Sequence, residues 1–224
     1  EPYSPAMETC LIAGATGLIG RRLVALCREE SRYETVHVLA RRALSLGAAG
    51  GVAEHLIDFE RLAETELDGL RVDDVYCALG TTLRKAGSKA AFRKVDHDYV
   101  VGLGRLALRL GASRFLLVSS YGANATARSF YPRVKGETED ALAALGLPQL
   151  LIFRPSLLKG PREEFRLMER LSNAVLELAA PVVPGRVRPV ADDVLARAMF
   201  RAAREETAAL RVFESEEIQV LGRV

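Results

Sequence analysis

Tyr131 and Lys135 stand four residues apart in the run Tyr131-Pro-Arg-Val-Lys135, and on a helix that spacing puts a phenol and an ammonium on one face. Lysine is scarce in this chain, with only 5 among 31 cationic residues, so the pairing is informative. A tyrosine exchanges a proton near neutral pH only if its phenolate is stabilised, and an adjacent ammonium does this, drawing the side chain down from about 10. Ser119 and Ser120 lie twelve and eleven residues before the tyrosine, and either hydroxyl can polarise an oxygen on a reacting carbon. The plainer reading of the two serines is a strand-ending turn.

The second group of residues binds rather than reacts. Gly14-Ala-Thr16-Gly17-Leu18-Ile19-Gly20 directly follows an apolar run and opens a helical pattern, the context in which glycine spacing carries meaning. Gly14 permits the tight turn, Gly17 lets backbone N–H groups approach a pyrophosphate, and Gly20 lets the helix pack closely on the strand. The helix N-terminus supplies partial positive charge. A Walker A loop is excluded, because Arg21-Arg22 stands where Lys-Ser/Thr is required. This points to a dinucleotide, whose nicotinamide, when oxidised, would further stabilise a Tyr131 phenolate, and whose ribose hydroxyls Lys135 can hold. Arg41-Arg42 occupies the end of the second strand, where an NAD site usually places an acid on the adenosine ribose. Two guanidinium groups there suit a 2′-phosphate, so NADP(H) is expected over NAD(H). Ile57-Asp58-Phe59 would flank the adenine, and Ala78-Leu79-Gly80-Thr81 would line the far side.

These residues require an α/β scaffold. Short apolar runs at Thr9 to Ala13, Thr35 to Ala40, Glu54 to Asp58, Asp74 to Ala78, Phe115 to Ser119, Gln149 to Arg154 and Arg211 to Glu214 read as strands. Helical periodicity covers Leu18 to Glu30, Ala90 to Leu110, Tyr131 to Leu145, Phe165 to Leu178 and Asp192 to Glu205, with a turn around Arg61 to Leu67. The alternation predicts a doubly wound parallel sheet. The reading is a single Rossmann domain over 7–224 in which 155–210 adds a small substrate-side lobe, bordered by Leu157 to Glu164. The run from Ala43 to Ala53 reads as a surface connection.

Composition limits the alternatives. The 224 residues are 49% hydrophobic and 27% charged, with 31 cations against 29 anions and no long like-charge block, which argues against nucleic acid or a membrane surface as partner. No charge-free stretch reaches the ~18 residues of a membrane helix, so a soluble cytoplasmic protein is expected. Cys10, Cys27 and Cys77 are widely spaced within apolar segments and read as buried, inert thiols. His37, His55 and His97 are dispersed along the chain, and no metal is expected.

Taken together, Gly14 to Gly20, Ser119-Ser120, Tyr131/Lys135, Arg154-Pro155-Ser156 and Val190-Ala-Asp-Asp-Val194 resemble the extended and atypical short-chain dehydrogenase/reductases over nearly the whole chain. Cys77-Ala-Leu-Gly-Thr-Thr82, Lys85-Ala-Gly87, Lys94-Val-Asp96 and Asp98-Tyr-Val100 resemble, within them, the Tat-interacting protein 30 family. The resemblance implies an NADPH-binding Rossmann fold, a Ser120/Tyr131/Lys135 catalytic set with Ser119 as the other candidate, and Arg154 and Pro155 beside the cofactor. It also implies that Lys94 stands where many relatives carry an Asn that supports the active-site lysine through water. The function expected is NADP(H)-dependent hydride transfer to or from a small carbonyl or alcohol, with Tyr131 as proton donor or acceptor. The alternative is an NADPH-binding regulatory protein that acts through protein partners without turnover. Nucleotide-sugar isomerisation fits the glycines but not the short C-terminal region.

Overall fold

The computed structural model describes residues 8–46, 51–159, 188–205 and 208–223. Its strands are β1 (Glu8–Ala13), β2 (Tyr33–Ala40), β3 (Val52–Leu56), β4 (Asp74–Cys77), β5 (Arg114–Val118), β6 (Leu150–Arg154), the two-residue β7 (Leu158–Lys159) and β8 (Val190–Ala191), and β9 (Leu210–Glu214). Seven of them form one sheet in the order β3-β2-β1-β4-β5-β6-β9, and every neighbouring pair is parallel. The short pair β7 and β8 is also parallel. This is the Rossmann arrangement that the alternation of strands and helices predicts.

Parallel strands need crossover helices, and these cover both faces. One face buries Ile19, Leu23, Val24 and Cys27 of α1 (Leu18–Glu29) with Leu195, Ala196 and Met199 of α6 (Asp192–Ala202) and Ile218 of α7 (Ser215–Arg223). The other buries Phe59 and Leu62 of a 3₁₀ turn (Phe59–Glu64), Val100, Leu103 and Leu106 of α4 (Tyr99–Arg109) and Leu142 of α5 (Phe130–Ala143). The strands are apolar on both sides for this reason, and all four residues of β4 are buried.

Three expectations need correction. The third strand starts earlier than expected, at Val52, inside the run read as a connection. It stops at Leu56 because Asp58 instead caps the 3₁₀ turn, its carboxylate accepting the Glu60 N–H at 2.9 Å. The helix expected from Ala90 to Leu110 is divided into α3 (Lys89–Arg93), a π turn (Lys94–Asp98) and α4. A short α2 (Leu83–Ala86) and the terminal α7 were not anticipated. The expected helix from Phe165 to Leu178 lies outside the described residues, as does most of the proposed lobe.

The chain runs outward through β1, β2 and β3, then returns to place β4 against the other side of β1. Strand order therefore reverses between β1 and β4, and the carboxyl ends of these strands open a crevice.

Candidate functional site

The glycine turn bridges the two strands at that crevice. Gly14 has φ +90, and a Cβ there would lie 2.4 Å from the Ala78 carbonyl oxygen beyond β4, so only glycine fits. A Cβ on Gly20 would lie 2.0 Å from the Gly14 oxygen, which ties α1 to the turn it follows. Gly17 is the N-cap residue of α1 and has no side chain to cap the first turn, and no acid occurs in that turn. Exposed Thr16 and Gly17 and half-buried Leu18 face outward, whereas Ile19 and Gly20 are buried. The result is a twelve-residue helix whose N-terminal dipole is matched by no carboxylate of its own first turn.

Arg41 and Arg42 follow β2 and are both exposed. Among the described residues neither forms an ion pair of the kind that engages Arg22, Arg32, Arg114 and Arg154. The Arg41 cation acts on Tyr99, which is nonetheless pushed up to about 12 by burial and by its hydrogen bond to Glu60. Phe59 is buried and tilted against Tyr99, with ring centroids 5.8 Å apart, so its ring is core. Ala78 and Leu79 are half-buried at the end of β4, Gly80 is exposed, and the Thr81 N–H donates to Asp96 at 2.8 Å. The uncapped helix terminus and the close-packed glycines fit a dinucleotide lying across the crevice.

At the other end of the crevice, α5 carries Tyr131, 38% exposed, and Lys135, 7% exposed. Tyr131 packs against Phe92 at 5.5 Å between centroids. The Lys135 ammonium lies 2.7 Å from the Asp96 carboxylate. Burial pulls Lys135 down, but Asp96, with Tyr131 and Cys77, more than offsets it and holds the lysine above its ordinary value. Lys94 is not in this site. It is exposed and pairs with Glu60 at 2.9 Å on the outer side. The π turn directs Asp96, two residues further on, towards Lys135, which corrects the expectation that residue 94 is the one facing the lysine.

The two serines separate at the end of β5. Ser119 is buried and donates its hydroxyl to Glu139; Ser120 is half-buried and makes only a 3.4 Å contact to the Tyr121 carbonyl. Arg154 commits its guanidinium to Glu139 at 2.5 Å and Glu214 at 3.2 Å, linking β6, α5 and β9. Buried Pro155 gives its carbonyl to the Tyr121 N–H at 2.9 Å.

Asp96, Glu139 and Gly136 were missed from sequence. A Cβ on Gly136 would lie 2.1 Å from the Ala125 nitrogen, and the Asn124 N–H donates to the Pro132 carbonyl at 2.9 Å. The segment following Ser120 is thereby clamped onto α5 beside Lys135. Nothing local marks Glu139 as buried, whereas a glycine directly after Lys135 inside a helical run was a usable signal.

The chain matches the NAD dependent epimerase/dehydratase family over residues 10–205. It belongs to that family. Among curated relatives, Protein HTATIP2 of Rattus norvegicus is 34% identical over 174 residues, 77% of this chain and 72% of that protein. "Protein FMP52, mitochondrial" of Eremothecium gossypii is 32% identical over 214 residues, 93% and 94% of the two chains. Of solved structures, an oxidoreductase of the short chain dehydrogenase/reductase family from Burkholderia thailandensis superposes with a TM-score of 0.70 at 23% identity, over 95% of this chain and 93% of that one. MoeE5 in complex with UDP-glucuronic acid and NAD superposes at 0.69 and 19%, covering 91% and 75%. These structural likenesses establish the family's Rossmann fold. Among the described residues no helix is long and apolar enough to cross a membrane.

Outside the crevice, His37 and His55 lie on separate strands, as expected, but β2 and β3 are neighbours and bring them together. Their rings stack with nitrogens 2.9 Å apart, and burial, then the neighbouring His55, push His37 down to about 4. All three cysteines are buried and free. Burial raises the Cys10 thiol and pushes Cys77 up to about 12, so neither is a thiolate at neutral pH.

Proposed function

We propose that this chain is an NADP(H)-dependent oxidoreductase of the short-chain dehydrogenase/reductase type, acting on a small carbonyl or alcohol. Tyr131 exchanges the proton, Lys135 stands beside the phenolate that forms in that exchange and holds the nicotinamide ribose, and Ser120 orients the substrate oxygen. The observation that carries this reading is the pair on α5: an accessible phenol one turn from a buried, charged ammonium, at the carboxyl end of a sheet whose glycine turn fits a dinucleotide. The bound cofactor would supply or accept the hydride. Ser120 is favoured over Ser119 because its hydroxyl is not engaged by a buried carboxylate. NADP(H) is favoured because Arg41 and Arg42 are exposed at the end of β2 and form no ion pair among the described residues.

Two measurements test the reading. Changing Arg41 and Arg42 together to Ala should weaken NADPH about 10²-fold while leaving NADH nearly unchanged; equal losses would remove the 2′-phosphate assignment. Tyr131→Phe should abolish NADPH oxidation against a panel of aldehydes, ketones and quinones and keep the cofactor Kd. Full residual turnover in this variant would eliminate Tyr131 as proton donor. A wild-type chain that binds NADPH tightly yet reduces none of the panel would favour the regulatory alternative. The sequence expectation is cytoplasmic and the fungal relatives are named mitochondrial; fractionation of the native protein decides between the two.

A further inference from the structure

A buried ammonium is costly unless a counter-charge meets it, and Lys135 has one that the catalytic set does not include. The Asp96 side chain is 1% exposed and its carboxylate lies 2.7 Å from the ammonium. One hydrogen bond holds the carboxylate itself, and the Thr138 hydroxyl fastens the backbone that carries it. The Thr81 N–H donates to its second oxygen at 2.8 Å. The Asp96 carbonyl accepts the Thr138 hydroxyl at 3.0 Å, and the same hydroxyl reaches the Val134 carbonyl at 2.7 Å, which fastens the π turn to α5. A Cβ on Gly80 would sit 3.5 Å from the Asp96 oxygen and 4.0 Å from the lysine nitrogen, so the pair lies directly under the loop that follows β4.

Other groups near Lys135 cannot replace this partner. Tyr131, one turn back on α5, is neutral until it gives up its proton. The Cys77 thiol, from β4, is pushed up to about 12 by burial. Glu139, one turn further along α5, is taken by Ser119 and Arg154. Among the described residues, Asp96 is the carboxylate within ion-pair distance of the lysine.

We propose that Asp96 is a positioning residue, which keeps the buried Lys135 ammonium charged and aims it between Tyr131 and the ribose side of the crevice. This rests on the reading of Tyr131 and Lys135 as the proton-exchange pair. A direct carboxylate partner does two things that a neutral hydrogen-bonding residue would not. It fixes the charge of the lysine through the working pH range, and its own negative charge offsets part of the field that the ammonium exerts at Tyr131.

The test is a titration of the five lysines by NMR of ¹³Cε-labelled full-length chain, without cofactor, with Lys135 assigned from Lys135→Arg. In the wild type Lys135 should lose its proton above the ordinary lysine range. In Asp96→Asn it should titrate lower by about two units, while Asp96→Glu keeps it high and the other four lysines do not move. An unshifted Lys135 in Asp96→Asn overturns the proposal. If Asp96→Asn does not fold, Asp96→Glu decides: a charged Lys135 at high pH supports the proposal, and a Lys135 that titrates below the ordinary range overturns it. In the loaded enzyme the alkaline fall of kcat/KM should move down with the lysine. The titration needs neither cofactor nor substrate, so its failure is separate from failure of the oxidoreductase reading, which would appear as wild-type chain that neither binds NADPH nor turns over.

Discussion

One peptide bond separates Ser119 from Ser120, and opposite sides of the β5 terminus give them different work. The hydroxyl of Ser119 is engaged by the buried Glu139, which also receives Arg154. Ser119→Ala should cost about 1 kcal/mol in unfolding free energy, since Glu139 keeps its arginine, and leave kcat unchanged. Ser120→Ala should lower kcat about 10²-fold with little change in melting temperature. Both are read from one denaturation series and one steady-state series, and the reverse pattern would exchange the two assignments. The candidates Gly14, Gly17, Tyr131 and Lys135 were legible in sequence because each rests on local spacing along one turn or one helix. Asp96 and Glu139 were not, because what distinguishes them is a partner 39 or 20 residues away, brought close only by packing. Asp96 was also hidden by a register error, the position that supports the lysine having been aligned with Lys94.

At the level of elements, α5 holds the chemistry in place through what it lacks. Gly136 follows Lys135 and admits the backbone of Asn124 and Ala125 to a distance that any side chain would fill. Gly136→Ala should therefore push the loop outward, costing about 1–3 kcal/mol, and lower kcat by about 10²-fold through displacement of Ser120. Calorimetry and kinetics on the same preparation check both, and an unaltered kcat would show that the loop does not position the serine. The strand and helix sequence was readable because a doubly covered strand must be a continuous apolar run and a crossover helix must be striped. The π turn was not, since Lys94 to Asp98 keeps the hydrophobic spacing of its flanks, Phe92 and Val100 both being buried. The strand at Val52 was obscured by small residues before it, and in β3, an edge strand, half-burial of Val52 to His55 and exposure of Leu56 weaken the pattern.

Across the whole molecule, polar burial is divided between the two ends of the sheet. Substrate-side groups gather at the carboxyl ends of the strands. At the amino ends, Asp74 of β4 is fully buried and receives Arg114, the Tyr33 hydroxyl and, at 3.1 Å, Arg32. Arg114 also pairs with Glu8 at 3.1 Å, and Arg32 donates to the Ala203 carbonyl after α6 at 2.8 Å. This network joins the starts of β1, β2, β4 and β5 to the end of α6, far along the strands from the crevice. Asp74→Asn keeps the shape and removes the charge, leaving two largely buried guanidinium groups with Glu8 as their remaining carboxylate. It should cost about 3–5 kcal/mol, a fall of about 10 °C in Tm, while the NADPH Kd below the transition stays at the wild-type value. Denaturation and fluorescence titration measure the two quantities independently. A weakened Kd in a still-folded Asp74→Asn protein would mean that the two ends are coupled through the strands, and that stability and binding are not divided between the ends of this sheet.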